Sequence, residues 1–225
     1  MKKNQLVIST FFAITLSIFL SNTSVAEPAN LALLKQEITV YHDSGDYQKE
    51  LTKIIRKARN YTIERAKQNA QLAQPKKLAV VLDIDETSLS NYSHLVSHEF
   101  TTTHAQWRKY VRVANAPAIK PMLAFYKDAI KHNVAIFFVT GRKESERTAT
   151  VRNLKQAGFH DWAALYLKPE DYNKPSVIPF KSQTRAVISK LGYTIIASIG
   201  DQESDLKGGY AEKTFKLPNP YYYIG

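Results

Sequence analysis

The sequence predicts an α/β protein in which a Rossmann-like parallel sheet is covered by helices on both faces. Short apolar runs at residues 78–82 and 134–139 are rich in β-branched or aromatic residues and contain no polar residue. Such runs are typical of strands buried on both faces. Strand-like and helix-like stretches then alternate toward the C-terminus, as they do in βαβ units. We therefore expect one domain over residues 27–225.

Two helices are predicted before the first strand. Residues 31–41 have a helical pattern, and Asp46 is expected to cap a longer helix that ends before Pro75. Residues 88–121 contain no long apolar run, although residues 104–113 look helical. The elements that follow are predicted as helix 122–132, strand 134–139, helix 144–157, strand 162–167, helix 182–191, strand 194–199 and a short strand 214–217.

The first 26 residues have the three-part pattern of a secretory signal peptide. Lys2 and Lys3 are followed by a mostly apolar stretch at 6–20 and by a small-x-small cleavage site at 24–26. A membrane span would need roughly 18 apolar residues. We therefore predict cleavage after Ala26, a periplasmic or secreted protein, and no stable membrane anchor after cleavage.

Composition narrows the classes of function. The chain has no cysteine, which excludes disulfides, thiol catalysis, thiolate zinc sites and a lipid-modified cysteine. The formal net charge is +11, and cleavage of the leader with Lys2 and Lys3 would lower it to +9 (11 − 2). A basic surface favours anionic partners such as phosphorylated substrates. No arginine-rich tract with interleaved aromatic residues points to a nucleic-acid partner.

Polar groups of complementary kinds follow three of the predicted strands. Because open α/β sheets hold ligands at the carboxyl ends of their strands, we expect these groups to meet at one edge. They are Asp83 and Asp85 after the first strand, Thr140 and Gly141 after the second, Asp201 and Asp205 after the fourth, and Lys181 before the helix that precedes the fourth.

Together these groups suit phosphoryl transfer. Asp83 and Asp201 would form a hard oxygen site for Mg²⁺, and Lys181 would add a fixed positive charge. A carboxylate can attack phosphorus and form an aspartyl-phosphate. Asp85 is expected to stay protonated beside its acidic neighbour and to donate to the leaving group. Thr140 would hydrogen-bond a non-bridging oxygen, and the Gly141 backbone can approach an anion closely.

The order Asp-x-Asp, strand-terminal Thr, Lys and Gly-Asp-x-x-x-Asp resembles the haloacid dehalogenase superfamily of phosphohydrolases. Residues 83–87 (Asp-Ile-Asp-Glu-Thr), the leader and the closing stretch 216–222 resemble its acid phosphatase branch, which includes bacterial class C acid phosphatases and plant vegetative storage proteins. The resemblance implies a small helical cap, here from about 28–74 and 88–121. Departures from class C are Gly141 in place of Asn, Leu206 in place of Phe, and the absence of a lipidated cysteine.

The resemblance also implies roles for single residues. Asp83 would be the nucleophile and Asp85 the general acid and then base, with Thr140 and Lys181 binding the phosphoryl group. Mg²⁺ would be held by Asp83, the backbone carbonyl of Asp85 and Asp201, with Asp205 in support.

Several other residues are candidates with competing interpretations. Arg142 can bind substrate phosphate or pair with Glu144 or Glu146. Three aromatic residues of the presumed cap can stack on a nucleoside or aryl leaving group, although helical spacing is also typical of core residues. They are Tyr92, Trp107 and Tyr110. Three histidines, His94, His98 and His104, do not match zinc-ligand spacing and are expected to be solvated.

These observations lead to the hypothesis of an exported, Mg²⁺-dependent acid phosphatase acting on small phosphomonoesters, nucleoside monophosphates among them. A phosphotransferase of the same fold and a non-catalytic storage or binding protein are the alternatives. A nucleic-acid-binding module would leave the aligned carboxylates unexplained. The oligomeric state is open at this stage.

Overall fold

The computed structural model describes residues 27–224, and the predicted leader lies outside them. Its sheet has five strands, numbered in chain order as β1 (Lys77–Leu82), β2 (Ala135–Lys143), β3 (Ala164–Lys168), β4 (Tyr193–Gly200) and β5 (Lys213–Lys216). All neighbours pair in parallel, in the order β3-β2-β1-β4-β5. The predicted fold class is therefore confirmed.

Helices cover both faces of this sheet. They are α1 (Leu31–Asp43), α2 (Asp46–Ala70), α3 (Tyr92–Ser97), α4 (His104–Val113), α5 (Lys120–Lys131), α6 (Arg147–Gln156) and α7 (Ile178–Lys190). The apolar positions of α2 and α5 join the larger core cluster, whereas α7 adds Ile188 to the smaller one. No helix within residues 27–224 is long and apolar enough to cross a membrane.

The central strand β1 explains why the molecule is built around residues 78–82. Its side chains alternate between the two cores: Leu78, Val80 and Leu82 enter the larger cluster, and Ala79 and Val81 enter the smaller one. A strand that is apolar on both faces can only lie between two helical layers. Asp83 therefore leaves the sheet at its carboxyl edge, between β2 and β4.

Three local features differ from the sequence prediction. Helix α7 begins at Ile178, so Lys181 lies inside its first turn rather than before the helix, because Pro179 is well tolerated at a helix start. Strand β2 continues past Thr140 to Lys143 through a register shift. Gly45 with φ 84°, not Asp46, precedes α2 as its N-cap residue.

The helices assigned to the cap have different surroundings. Helix α2 contacts α5, β4 and β5, and its residues Leu51, Ile55 and Ala58 are buried in the larger core. It therefore forms part of the layer over the sheet. Helix α3, which was not predicted, and helix α4 lie in the connection between β1 and α5. The outline of the cap stays a prediction.

Candidate active site

The carboxyl edge of the sheet brings the predicted nucleophile next to the predicted lysine. Lys181 Nζ lies 2.7 Å from Asp83 Oδ1 and also donates to Asp205 Oδ1. All three side chains are buried. Burial alone would lower the pKa of Lys181, but the carboxylates of Asp205 and Asp83 raise it above its ordinary value. Lys181 is therefore a permanent positive charge at this edge.

Three buried carboxylates form a compact cluster of oxygen ligands. One oxygen each of Asp83, Asp201 and Asp205 lies within 4.8 Å of the others. Burial raises the pKa of Asp83 well above its usual range, with the charge of Asp205 adding to the effect. Burial and then Asp205 raise the pKa of Asp201 to about 6. Because Lys181 offsets one of three charges, this donor set fits a divalent cation that prefers oxygen.

Asp201 is held by three uncharged donors that the sequence analysis missed. Thr87 Oγ1 donates to Asp201 Oδ1 at 3.0 Å, and both Gln202 Nε2 and Asn219 Nδ2 donate to Oδ2 at 2.7 Å. Thr87 and Asn219 lie in the two stretches that carry the family resemblance. They orient the Asp201 carboxylate without cancelling its charge.

Asp205 is fixed just after β4 by one backbone amide and two side-chain donors. The Gln202 amide donates to Asp205 Oδ2 at 2.9 Å, and the Asp205 carbonyl accepts from Ser198 Oγ at 2.8 Å and Arg185 Nη1 at 2.9 Å. A Cβ atom at Gly200 would lie 2.2 Å from Asp205 Cγ. The glycine in the Gly-Asp pair is therefore required by the close approach of Asp205.

Asp85 forms an ion pair with Arg142, for which the sequence predicted a contact with substrate phosphate, Glu144 or Glu146. Arg142 Nη2 lies 2.7 Å from Asp85 Oδ1 and Nε lies 3.0 Å from Oδ2. Neither Glu144 nor Glu146, the partners considered from sequence, takes this role, since Glu144 pairs with Arg147 and Glu146 accepts from the Lys143 amide. Asn91 Nδ2 adds a third contact, at 3.0 Å from Asp85 Oδ1.

Thr140 and Gly141 directly precede Arg142 in β2. The Thr140 hydroxyl oxygen accepts from the Arg142 amide at 3.1 Å, and within residues 27–224 its own proton has no protein acceptor. Open space surrounds Gly141 where a Cβ would point. A hydroxyl donor and an unobstructed backbone are what binding of an anion requires at this position.

Glu86 is a buried carboxylate that the sequence analysis did not single out. It has a left-handed backbone with φ 53° and accepts from the Asn91 amide at 2.7 Å and from Tyr222 Oη at 2.6 Å. Burial, followed by the charge of Asp85, raises its pKa to about 8. Through Tyr222 it ties the C-terminal segment to the loop that follows β1.

The three candidate cap aromatics fall into two groups. Tyr92 stacks on His42 at 3.3 Å between ring centroids and donates to Asp43, so it packs against α1. Trp107 and Tyr110 lie together, and Tyr110 stacks on His94 at 4.1 Å. Burial and then the charges of Glu86 and Asp85 raise the pKa of Tyr110 to about 12. Of the three, Tyr110 is therefore electrostatically coupled to the site.

His94 differs from the expectation of a solvated loop histidine. It lies in α3, is 9% exposed, and its Nε2 has no partner among the described residues. The aromatic contacts with Tyr110 and His98 explain its burial. Of the other two histidines, His98 is half-buried and His104 is exposed.

Comparison with known proteins places the chain in a family. Residues 14–225 match the family described as HAD superfamily, subfamily IIIB (acid phosphatase). Acid phosphatase 1 of Solanum lycopersicum is 38% identical over 148 residues, covering 64% of this chain and 58% of that protein. Vegetative storage protein 2 of Arabidopsis thaliana is 32% identical over 148 residues, covering 64% and 56%.

The fold has a counterpart among solved structures. The class C acid phosphatase of Bacillus anthracis superposes with a TM-score of 0.65 at 22% identity, covering 85% of this chain and 86% of that one. The chain spans less than two thirds of the length of the two plant relatives. The family match, which extends over most of the sequence and includes every residue of the carboxylate cluster, shows that the chain belongs to subfamily IIIB of the haloacid dehalogenase superfamily, the acid phosphatases.

Proposed function

We propose that the protein is a Mg²⁺-dependent phosphomonoesterase that uses Asp83 as its nucleophile. The observation that carries the proposal is the position of the Asp83 carboxylate, which lies against the Lys181 ammonium at 2.7 Å and within the cluster formed with Asp201 and Asp205. An anionic nucleophile needs this kind of positive surrounding before it can approach an anionic phosphate.

The proposed metal ligands are the carboxylates of Asp83 and Asp201 and the backbone carbonyl of Asp85. When bound, Mg²⁺ would screen the repulsion between the nucleophile and the phosphoryl oxygens. Asp205 has a different task, because its carboxylate already accepts from Lys181 and from the Gln202 amide. It holds Lys181 toward Asp83.

The side chains can carry out both halves of a hydrolysis. An Asp83 carboxylate oxygen forms a bond to phosphorus while the ester P–O bond breaks, and the leaving oxygen takes a proton from Asp85. Asp85, now a carboxylate, accepts a proton from water as that water attacks the aspartyl-phosphate. The Asp83–phosphorus bond breaks, and phosphate leaves. Lys181 and the Thr140 hydroxyl bind the non-bridging oxygens throughout.

The proposed substrates are small phosphomonoesters, including nucleoside monophosphates. Tyr110, on which the charge of Asp85 acts, packs with Trp107, and aromatic surface of this kind suits a base or aryl leaving group. The basic composition favours anionic substrates. Export to the periplasm or the medium is proposed from the leader, and the oligomeric state is left to measurement.

A storage or binding role is the second candidate, because a vegetative storage protein is among the relatives. The two roles are separated by phosphate release from p-nitrophenyl phosphate and a panel of nucleoside monophosphates, with Mg²⁺ or with chelator. Metal-dependent turnover that Asp83→Asn lowers about 1,000-fold or more supports the phosphatase. Asp161→Asn, which alters an exposed aspartate, is the matched control. Absence of turnover by folded, Mg²⁺-loaded protein between pH 4 and 8 would favour the storage role.

A further inference from the structure

We propose that Arg142 is the positioning residue of Asp85, and that it presents Oδ2 of that carboxyl group to the leaving oxygen. The inference rests on the proposed function and assigns Arg142 a role other than phosphate binding. Its starting point is the two-bond contact in which Nη2 lies 2.7 Å from Oδ1 and Nε 3.0 Å from Oδ2. A planar guanidinium that binds both carboxylate oxygens fixes the plane of the carboxylate as well as its position.

The arginine is itself held in place. Its side chain is 1% exposed, its Nη1 donates to the buried Thr150 hydroxyl at 3.2 Å, and its amide donates to Thr140 at 3.1 Å. Thr150 belongs to α6 and Arg142 to β2, so two packed elements determine where the guanidinium lies. The Asp85 side chain, in contrast, is 16% exposed, and its charge acts on Asp83.

The contact also leaves Arg142 poorly suited to bind phosphate. The edge formed by Nε and Nη2 is one of the two edges with which arginine can bind a phosphate through two parallel bonds, and Nη1 of the other edge donates to Thr150. In this structure the edge formed by Nε and Nη2 is occupied by Asp85. Lys181 and the Thr140 hydroxyl remain for the phosphoryl oxygens.

The two oxygens of Asp85 are not equivalent. Oδ1 accepts from Arg142 Nη2, from Asn91 Nδ2 at 3.0 Å and, at 3.2 Å, from Arg142 Nε, whereas Oδ2 accepts from Arg142 Nε alone among the described residues. Oδ2 therefore keeps a lone pair on which a proton can be carried. In the proposed step, the ester P–O bond breaks, its electron pair passes to the leaving oxygen, and that oxygen takes the proton from Oδ2.

Leaving-group dependence tests this role directly. p-Nitrophenolate departs without protonation, whereas an alkoxide needs the proton of a general acid. We expect Arg142→Lys to lower kcat/KM for glycerol phosphate about tenfold or more beyond its effect on p-nitrophenyl phosphate, because lysine keeps the charge but not the two-bond contact. Inhibition by inorganic phosphate should stay within about twofold of wild type.

Asp85→Asn provides the second half of the test. If Arg142 acts through Asp85, adding Arg142→Lys to Asp85→Asn should cause no further change in the ratio of the two substrates. Thr150→Val, which removes only the support of Nη1, should move the ratio in the same direction by a smaller factor. Arg147→Lys alters a partly exposed arginine that also grips a carboxylate, that of Glu144, and should leave the ratio unchanged.

Each outcome has a distinct meaning. A wild-type protein that hydrolyses neither substrate overturns the proposed function and this inference with it. A wild type that hydrolyses both, with equal losses for the two substrates in Arg142→Lys and weaker inhibition by phosphate, assigns Arg142 to phosphate binding and overturns the positioning role alone. If Arg142→Lys loses kcat/KM equally for the two substrates and inhibition by phosphate is unchanged, the contact between Arg142 and Asp85 is only structural, and the positioning role is overturned.

Discussion

The hydrogen-bond donors around Asp201 determine whether its carboxylate is available to a metal ion. Asp201 is oriented by Thr87, Gln202 and Asn219, which are all neutral, so its negative charge stays available to a cation. A charged partner in any of these places would compete with a metal for the same oxygen. Neighbours that orient a ligand in this way contribute to metal affinity without touching the metal.

Asn219→Ala should therefore weaken Mg²⁺ binding, by about 10- to 100-fold if Asn219 orients a true ligand. The reason is the loss of the 2.7 Å bond from Nδ2 to Asp201 Oδ2. Calorimetric titration of the metal-free protein with Mg²⁺ measures the change. Asn173→Ala, at an exposed loop position, is the control. An unchanged dissociation constant in a folded Asn219→Ala protein would contradict the assignment of Asp201 as a ligand.

Residue types and spacing predicted the groups at the strand ends but not their partners. Asp83, Asp201 and Lys181 could be named because each follows or accompanies an apolar run. Arg142 was placed near the site, yet its pairing with Asp85 depends on the register shift in β2 after Thr140, which no local pattern reports. Asn219 is 18 residues from Asp201 and lies beyond β5, so only the folded sheet brings the two together.

At the scale of elements, the end of β4 is packed too tightly for any side chain at Gly200. Gly200→Ala should lower the free energy of unfolding by about 1–3 kcal/mol, since Cβ would collide with Asp205 and overpacking carries costs of this size. Activity should fall as well, because Asp205 holds Lys181. Urea unfolding and phosphate release measure the two effects.

Gly141 provides a matched control in β2, which lies on the other side of β1 from β4. Within residues 27–224, no atom other than those of its two chain neighbours lies within 4 Å of a Cβ at this position, so Gly141→Ala should leave the free energy of unfolding nearly unchanged. If Gly141→Ala destabilised the protein as much as Gly200→Ala, the close approach of Asp205 would not be the reason that glycine is required at position 200.

Elements with a clear hydrophobic periodicity could be predicted from the sequence, whereas those with a weak pattern were missed or given other bounds. The buried strands and helix α4 follow directly from their apolar patterns, and α4 spans the predicted residues 104–113. Helix α7 starts at Ile178, four residues before the predicted start at residue 182, because Pro179 fits the first turn of a helix. Helix α3 is only six residues long, which is too short for a helical period to be detected.

For the whole molecule, the charge of the cluster that Lys181 leaves uncompensated would link binding of the proposed metal to the free energy of unfolding. Mg²⁺ at about 100 times its dissociation constant should add about 2.7 kcal/mol to the free energy of unfolding. Asp201→Asn should lose most of this gain, because it removes one of the clustered carboxylates. Thermal unfolding with Mg²⁺, or with KCl at equal ionic strength, measures the difference. Equal stabilisation of both proteins would place the bound metal elsewhere.

The connection between β1 and α5 should make global stability sensitive to mild acid through His94. Burial lowers the pKa of His94 below its ordinary value of 6.5, with the charge of His98 adding to the effect. The aromatic rings that face His94 are those of His98, Tyr110 and Trp107. As the pH falls below 6.5, the unfolded chain therefore binds a proton at this residue before the folded chain does.

Stability should consequently decline as the pH falls from 6.5 to the lower folded pKa of His94, and level off below it as far as this residue is concerned. His94→Phe keeps the ring stacked on Tyr110 but removes the titrating nitrogen, so its stability relative to wild type should increase through this window. Urea unfolding at pH 7.5 and 5.0 measures that change, and His104→Phe, at an exposed histidine, is the control. Because all other titrating groups are shared, a difference between His94→Phe and wild type that does not depend on pH would mean that His94 is equally free to protonate in the folded chain.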